Sequence, residues 1–360
     1  VYEIQAHHAT SPERRLELFA EIAKLQEFSL SDLHAAFESY ARAFREDPGH
    51  SSAKAELERL SAAIGASDAL AGVYEQVVSG TDDDPQLAIG LLLRAAEIRE
   101  EDLGQIDRAI QHYEAVLDLD DEHHASADAL ERLFQQAERY EDLAGIYKRK
   151  AKMVPAAADQ REQLVKAAAI YEDILDKPND AIAAYQQVLE VDPADVESID
   201  RLIELQMQLG KWASLLESYE RKAEVVSDAE VRRSLFTAMG QVYESQLADA
   251  DKAIDAYQRA LEIAPDDVEA LGHLDGLFEQ TSQWRELLQV LERQAELVDD
   301  DERRVGLRFR IGQLWRRHLE DPSRAIEIFR DILVEMPDHQ PTLESLTARA
   351  LSLIPISEPT

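Results

Sequence analysis

The chain has 360 residues, of which 45 % are hydrophobic, 6 % aromatic and 31 % charged, with 13 Gly, 12 Pro and no Cys. Lys and Arg number 38 against 73 Asp and Glu, a net charge of -35, which disfavours phosphate backbones and anionic lipid and favours partners carrying basic segments. Lack of Cys excludes disulfides, thiolate nucleophiles and Cys-based zinc sites, no apolar run approaches the ~20 residues of a membrane span, and the scarcity of Gly and Pro points to helix nearly throughout.

In chain order, one apolar pattern keeps returning. It opens as Ala36, Phe37, Tyr40, Ala43, Phe44 and Pro48, then returns as Ala109, Ile110, Tyr113, Val116, Leu117 and Asp121. Three further copies run Ala181, Ile182, Tyr185, Val188, Leu189 and Pro193; Ala253, Ile254, Tyr257, Ala260, Leu261 and Pro265; Ala325, Ile326, Phe329, Ile332, Leu333 and Pro337. The alanines step by 73, 72, 72 and 72 residues. Within a copy the apolar residues fall at i, i+1, i+4, i+7 and i+8, one face of an α-helix. Asp107, Asn179, Asp251 and Ser323, two residues before the alanine, are expected N-caps. The trailing Pro is expected to end the helix and to be able to open the next.

A second helix precedes each of these. It is marked by Leu91, Ala95, Ala96, Ile98 and Leu103; by Leu164, Ala167, Ala168, Ile170, Tyr171 and Leu175; by Leu235, Phe236, Met239, Gly240, Val242, Tyr243 and Leu247; and by Leu307, Ile311, Gly312, Leu314, Trp315 and Leu319. The small residue at 96, 168, 240 and 312 is expected to let the following helix approach closely. Two more helices complete each unit, one with Leu130 and Leu133 (then Leu202 and Leu205, Leu274 and Leu277), the other opening on Tyr140, Trp212 or Trp284. One 72-residue unit is therefore two helix pairs.

These positions resemble the tetratricopeptide repeat of degenerate bacterial type. Phe236, Met239, Gly240, Tyr243, Ala253, Tyr257, Ala260 and Pro265 reproduce nearly all of its pattern, while Leu209, Gly210, Trp212 and Tyr219 match the second pair less fully, with Lys222 where a small residue is usual. The likeness covers roughly residues 14–346. It implies an all-α superhelical solenoid of about ten helix pairs in five units. We expect residues 1–350 to form one continuous array and 351–360 a separate tail. That tail, Leu351 to Thr360, resembles a translated sequencing-adapter read-through. A start at Val1, already inside repeat-like sequence, reads as a fragment, which leaves the compartment open with the cytoplasm as default.

No nucleotide-binding, nucleophile-elbow or metalloprotease motif occurs, and no catalytic, metal or cofactor residue is assigned. His7–His8 and His123–His124 have the i, i+1 spacing that serves chelation poorly, and His50, His123 and His339 share one repeat position with Asp195 and Asp267, read as an exposed first-turn slot. Trp212, Trp284 and Trp315 are expected to pack between helices. Arg303, Arg304, Arg308, Arg310, Arg316 and Arg317 form a basic island, expected to pair with Asp299, Asp300, Asp301 and neighbouring acids, and the run Asp82, Asp83, Asp84 is read as a solvated capping turn.

The resemblance implies a concave groove for an extended or helical peptide. Carried over by position, its lining is Glu97, Glu100, Glu101, Asp128, Arg132, Gln135, Glu162, Glu172, Asp173, Glu197, Asp200, Glu204, Thr237, Gln241 and Glu244. Mostly carboxylate, this set favours Lys- and Arg-bearing segments. The expectation is a non-enzymatic protein-interaction scaffold; the alternative is a regulatory or sensory segment of a larger multidomain protein. The partner is protein or peptide, not nucleic acid or membrane, and the oligomeric state is open.

Overall fold

The computed structural model describes residues 1–80 and 84–352, and among them every regular element is a helix. Asp82, Asp83 and most of the expected tail, residues 353–360, lie outside the described residues. Two compact units divide at Pro193 and Ala194.

Unit 1 begins with the short α1 (Tyr2–His8), then pairs α2 (Pro12–Leu30) with α3 (Leu33–Glu46) and α4 (Ser51–Ile64) with α5 (Ser67–Val78). Next come α6 (Pro85–Glu97), whose last turn widens to π geometry over Ile98–Asp102, with α7 (Ile106–Leu119), and α8 (His124–Gln136) with α9 (Tyr140–Met153). The unit ends on α10 (Ala157–Ala169), again with a π turn over Ile170–Ile174, and α11 (Pro178–Val191). Unit 2 pairs α12 (Val196–Gln208) with α13 (Trp212–Val225), α14 (Ala229–Ser245) with α15 (Ala250–Ile263), α16 (Val268–Gln280) with α17 (Trp284–Leu297), and α18 (Asp301–Arg317) with α19 (Pro322–Glu335), and closes on α20 (Gln340–Ser352). From α2 on, the even-numbered helices are called A helices and their partners B helices.

A pair too small to bury both its apolar faces must stack on the next. In unit 1 one apolar cluster joins Ala36, Phe37 and Phe44 of α3 to Leu57 and Leu60 of α4, Tyr74 of α5 and Leu91 and Ile98 of the next pair. Another passes from Ala109 and Tyr113 through Leu130 and Leu143 to Ala167 and Ile170. In unit 2 a single cluster runs from Leu215 and Tyr219 through Tyr257 and Leu274 to Ile311 and Leu314. Each unit therefore has a ribbon of core, passed from neighbour to neighbour.

The close approach between helices of a pair is real. A Cβ added at Gly240 would lie 2.6 Å from the Tyr257 ring, and one at Gly312 would press still harder on Phe329. Ala96 and Ala168 hold the same slot fully buried, and it is in these two copies that the following turn is π rather than α.

Every A helix that passes into a B helix through a tight turn does so through one left-handed residue. Ser31, Gly104, Asp176, Ala248 and Glu320 form one series and Gly65, Glu138, Gly210 and Ser282 the other, with φ between 50° and 67°. In the first series the turn is closed by a backbone bond reaching back six residues, as from Asp249 N to the Tyr243 carbonyl at 2.9 Å and from Lys177 N to the Tyr171 carbonyl at 2.8 Å, and in the second by one reaching back five, as from Lys211 N to the Gln206 carbonyl at 2.8 Å. Such a reversal satisfies the last carbonyls of the helix and suits glycine. Ala248 carries a Cβ there at a cost of roughly 1–2 kcal/mol, partly offset by the freedom a glycine would add to the unfolded chain. Ala248→Gly is therefore expected to stabilise unit 2 by about 0.5–1 kcal/mol, and an unchanged or lower urea midpoint would contradict this account of the turn.

The expected N-caps are corrected by two residues. The caps of α7, α11, α15 and α19 are Gln105, Lys177, Asp249 and Asp321, so Asp107, Asn179, Asp251 and Ser323 lie inside the first turn. Asp249 accepts from Lys252 N at 3.2 Å, and Asp321 from Ser323 N and Arg324 N at 3.1 and 3.2 Å. First-turn acids still favour the helix through its dipole. The trailing Pro193, Pro265 and Pro337 do stand just beyond helix ends, but none opens the following helix, which starts three residues later at Val196, Val268 and Gln340. Asp84 of the acidic run caps α6 by accepting from Leu87 N at 3.1 Å.

The histidine slot is likewise a cap rather than an exposed first-turn position. His50 and His123 accept through Nδ1 from Ala53 N and Ser126 N, each at 3.2 Å, where Asp267 accepts from Glu269 N and Ala270 N. Asp195 is itself buried at the head of α12 and takes the Ser198 hydroxyl at 2.6 Å.

Candidate peptide-binding surfaces

The A-helix positions carried over from the repeat pattern fall into three physical groups. Some are bound to their own repeat. Glu100, Glu172 and Glu244 accept the hydroxyls of Tyr113, Tyr185 and Tyr257 at 3.3, 2.7 and 3.0 Å. Each is the same contact moved by 72 residues, tying the end of an A helix to its B helix. In the next copy the tyrosine becomes Phe329 and the acid becomes Arg316, so donor and acceptor disappear together. Burial, then the Glu100 charge, pushes the Tyr113 hydroxyl up to about 12, which keeps it a donor across the neutral range.

Others are neutralised across helices. Asp128 and Asp200 take Lys150 and Lys222 from the facing B helix at 2.7 and 2.5 Å, which explains a lysine where the pattern has a small residue. Glu100 also takes Arg132 from α8 at 2.6 Å. That last pair belongs to a series linking successive A helices in unit 1, with Glu27–Arg59 at 2.7 Å and Glu58–Arg94 at 3.3 Å. Unit 2 has Asp267–Arg233 and Asp275–Arg310 in the same role. Glu97, Glu162 and Glu204 pair along their own helices with Arg94, Lys166 and Arg201, exposed contacts worth little individually. Gln241 donates to Glu269 at 3.0 Å, and His273 meets Glu244 at 3.0 Å.

The rest stand open. Glu101, Asp173 and Glu197 are exposed and make no ion pair among the described residues, and Gln135 is exposed beside Arg132 on α8. Thr237 departs from the expected lining: it is 5 % exposed and its hydroxyl donates to the Arg233 carbonyl at 3.2 Å. A helix-buried threonine that satisfies its own backbone presents nothing to a ligand.

One buried group escaped the sequence reading. Arg99 is 2 % exposed and sits where the sister copies hold Tyr171, Tyr243 and Trp315. Its guanidinium donates to Glu75 at 2.8 Å, to Gln105 at 2.8 Å and to Asp68, and Glu75 also meets His112 at 3.0 Å. Burial alone would raise the Glu75 carboxyl, but the hydrogen bonds and charges of Arg99 and His112 hold it below the usual value. The signal was available in the charged residue occupying an aromatic slot.

Trp212, Trp284 and Trp315 pack half-buried against the unit 2 core. Trp284 stacks on His318 with ring centroids 3.8 Å apart, and Arg324 lies 4.6 Å above Trp315. The basic island is only partly neutralised. Arg304 binds Asp301 and Glu335, Arg308 binds Glu335 at 2.5 Å, and Arg310 binds Asp275 and Glu279 at 2.6 and 3.0 Å. Arg303 and Arg317 are exposed and make no ion pair among the described residues. A second basic run, Lys148 to Lys152 on α9, was overlooked; there Arg149 reaches the Leu117 carbonyl and Lys148 lies 4.6 Å over the Tyr171 ring.

Tetratricopeptide-repeat family models match three segments, residues 91–123, 234–267 and 270–305. Each segment is close to one helix pair, α6–α7, α14–α15 and α16–α17. No curated protein sequence matches the chain. Among solved structures, one described as MamA is 19 % identical with a TM-score of 0.29, covering 58 % of this chain and 91 % of its own. One described as YrrB, a TPR protein with an unusual peptide-binding site, is 16 % identical with a TM-score of 0.26, covering 56 % and 97 %. PilF of Pseudomonas aeruginosa is 15 % identical with a TM-score of 0.29, covering 62 % and 97 %.

Proposed function

Because this chain is a tetratricopeptide-repeat protein, we propose that it is a non-enzymatic interaction scaffold whose A-helix face in unit 1 holds partner segments rich in Lys or Arg. The observation that supports this reading is the set of carboxylates left over once the internal pairs are counted. Glu101 and Asp173 lie within the two π turns of that unit, exposed and without ion pairs, beside the half-engaged Glu100 and Glu172. A cationic segment laid along these helix ends would meet negative charge at successive repeats, which steers encounter and selects sign more than it adds raw affinity.

The test is fluorescence anisotropy of labelled Lys/Arg-rich and Glu/Asp-rich peptides with the full chain at low and high salt. We expect the basic set to bind at low salt and to be released as salt screens the charges. Glu101→Gln with Asp173→Asn is expected to weaken that binding several-fold without altering helicity. Equal binding of acidic and basic peptides, or no loss in the double variant, would remove this reading.

A further inference from the structure

The unit 2 face of α16 and α18 differs from its sister copies in a way that creates an opening. At steps of 72 residues, Asp128 and Asp200 give way to Gly272, and Lys150 and Lys222 give way to Gln294. The ion pair that fills this space in the two earlier copies is thus absent, and Gln294 instead turns its amide to the Leu271 carbonyl at 3.0 Å. Glu162 and Ser234 are followed at the next step by Gly306. Neither glycine is required by the packing, since a Cβ at Gly272 or Gly306 would meet nothing within 4 Å, and neither has a positive φ. A helix-interior glycine costs roughly 0.5–1 kcal/mol against alanine. What the pair leaves in return is a cavity of about 630 Å³.

The walls of the cavity are apolar, formed by Val268, Leu271, Leu297, Val298 and Leu307, and Val268 at its edge is 68 % exposed. Its volume is in the range that accepts a bulky side chain or a small ligand. The charges around it are mainly positive. Arg303 and Arg310 line it with a single acid, Asp299. Arg303, Arg310 and Arg317 recur every seven residues, which puts them on one face of α18 with a rise of about 10 Å between neighbours. Arg310 is held by Asp275 and Glu279, while Arg303 and Arg317 have no acid partner among the described residues. A smaller cavity of about 240 Å³ beside the Trp284–His318 stack continues the cleft from Arg310 to Arg317. On a chain of net charge -35, an apolar opening edged by unpaired arginines matches a ligand of the opposite character from the one proposed for unit 1.

We propose that the α16–α18 cleft is a second binding site, which takes an acidic peptide by burying one large aliphatic or aromatic side chain between Gly272 and Gly306 and setting its carboxylates against Arg303 and Arg317. The inference rests on the reading of the chain as an interaction scaffold but uses other residues and a ligand of the other sign. Peptide binding here combines an apolar anchor with charge selection at the rim.

The experiment uses labelled peptides bearing one central Phe or Leu flanked by Glu, a control set with the central residue changed to Ala, and a control set with Glu changed to Lys. Anisotropy is read with the full chain in moderate salt, which screens the overall charge beyond roughly 10 Å. The Phe/Leu–Glu set should bind at least tenfold more tightly than the Ala set, and the Lys set should be insensitive to changes in this cleft. Gly272→Asp with Gln294→Lys, which restores the residues of the sister copies, should lower binding of the Phe/Leu–Glu set by tenfold or more with unchanged circular dichroism. Arg303→Glu with Arg317→Glu, both on the surface, should do the same and keeps the test valid should the first variant fold poorly. No binding of the Phe/Leu–Glu set, equal binding of the Ala set, or binding undiminished in both variants would overturn the proposal. Lys/Arg-rich peptides that still bind unit 1 in that event would leave the first reading standing.

Discussion

Arg99→Ala is expected to destabilise unit 1 by about 3 kcal/mol, the lower end of the range for breaking a buried ion pair from one side. Two losses add. The arginine stem fills a slot that the other repeats fill with Tyr or Trp, so truncation leaves a cavity in the α5–α7 packing. The head is also the main partner of Glu75, which is half-buried and would keep only His112. Asp68 is 70 % exposed and can turn to water, which is why the upper end of the range is not expected. Because Glu75 is held below the ordinary carboxylate value, its contribution is present above the unfolded pKa and is lost as pH falls through the folded one. Wild-type stability should therefore fall through the acidic range, and the variant should lose part of that slope. Urea titrations of both proteins at neutral and acid pH check this. A loss below about 1 kcal/mol, or parallel pH profiles, would show that the network contributes little.

The repeat and the faces of its helices were legible because burial constrains each position separately: Ala109, Ala181, Ala253 and Ala325 must be small, and Tyr113, Tyr185 and Tyr257 must reach across. Such constraints show in one residue at a time and recur at each step. Caps were harder, since Asp, Asn and Ser are favoured both at the cap and in the first turn, and Asp249 and Asp251 cannot be told apart by type. The site was least legible. Lining positions could be carried over, but not whether Glu100 answers to Tyr113 and Arg132 or, like Glu101, makes no ion pair. That depends on partners 13 and 32 residues away, on another helix. The change of Tyr to Phe329 together with Glu to Arg316 held that information, as did the exchange of the Lys–Asp pair for Gln294 and Gly272. Comparing copies with one another, rather than with an average repeat, separates structural acids from available ones.

Gly312→Val carries the other large expected effect, a loss of about 3 kcal/mol from the α18–α19 pair, at the upper end for overpacking a filled core. The ring of Phe329, 1 % exposed, lies against Gly312 and also packs on Phe309, with ring centroids 5.6 Å apart. A branched side chain can enter only if that ring leaves its rotamer or the two helices separate, and separation would also loosen Val305, Ala325 and Ile332. Gly312→Ala is expected to cost less, about 1–2 kcal/mol, since Ala96 and Ala168 occupy the same slot in copies whose next turn is π. The double variant Gly312→Val with Phe329→Ala separates crowding from propensity. If crowding is the cause, the two changes compensate in part and the pair loses less than the sum of the single variants. Strict additivity in urea unfolding, with protection of α18 amides unchanged, would mean that the glycine is there for another reason.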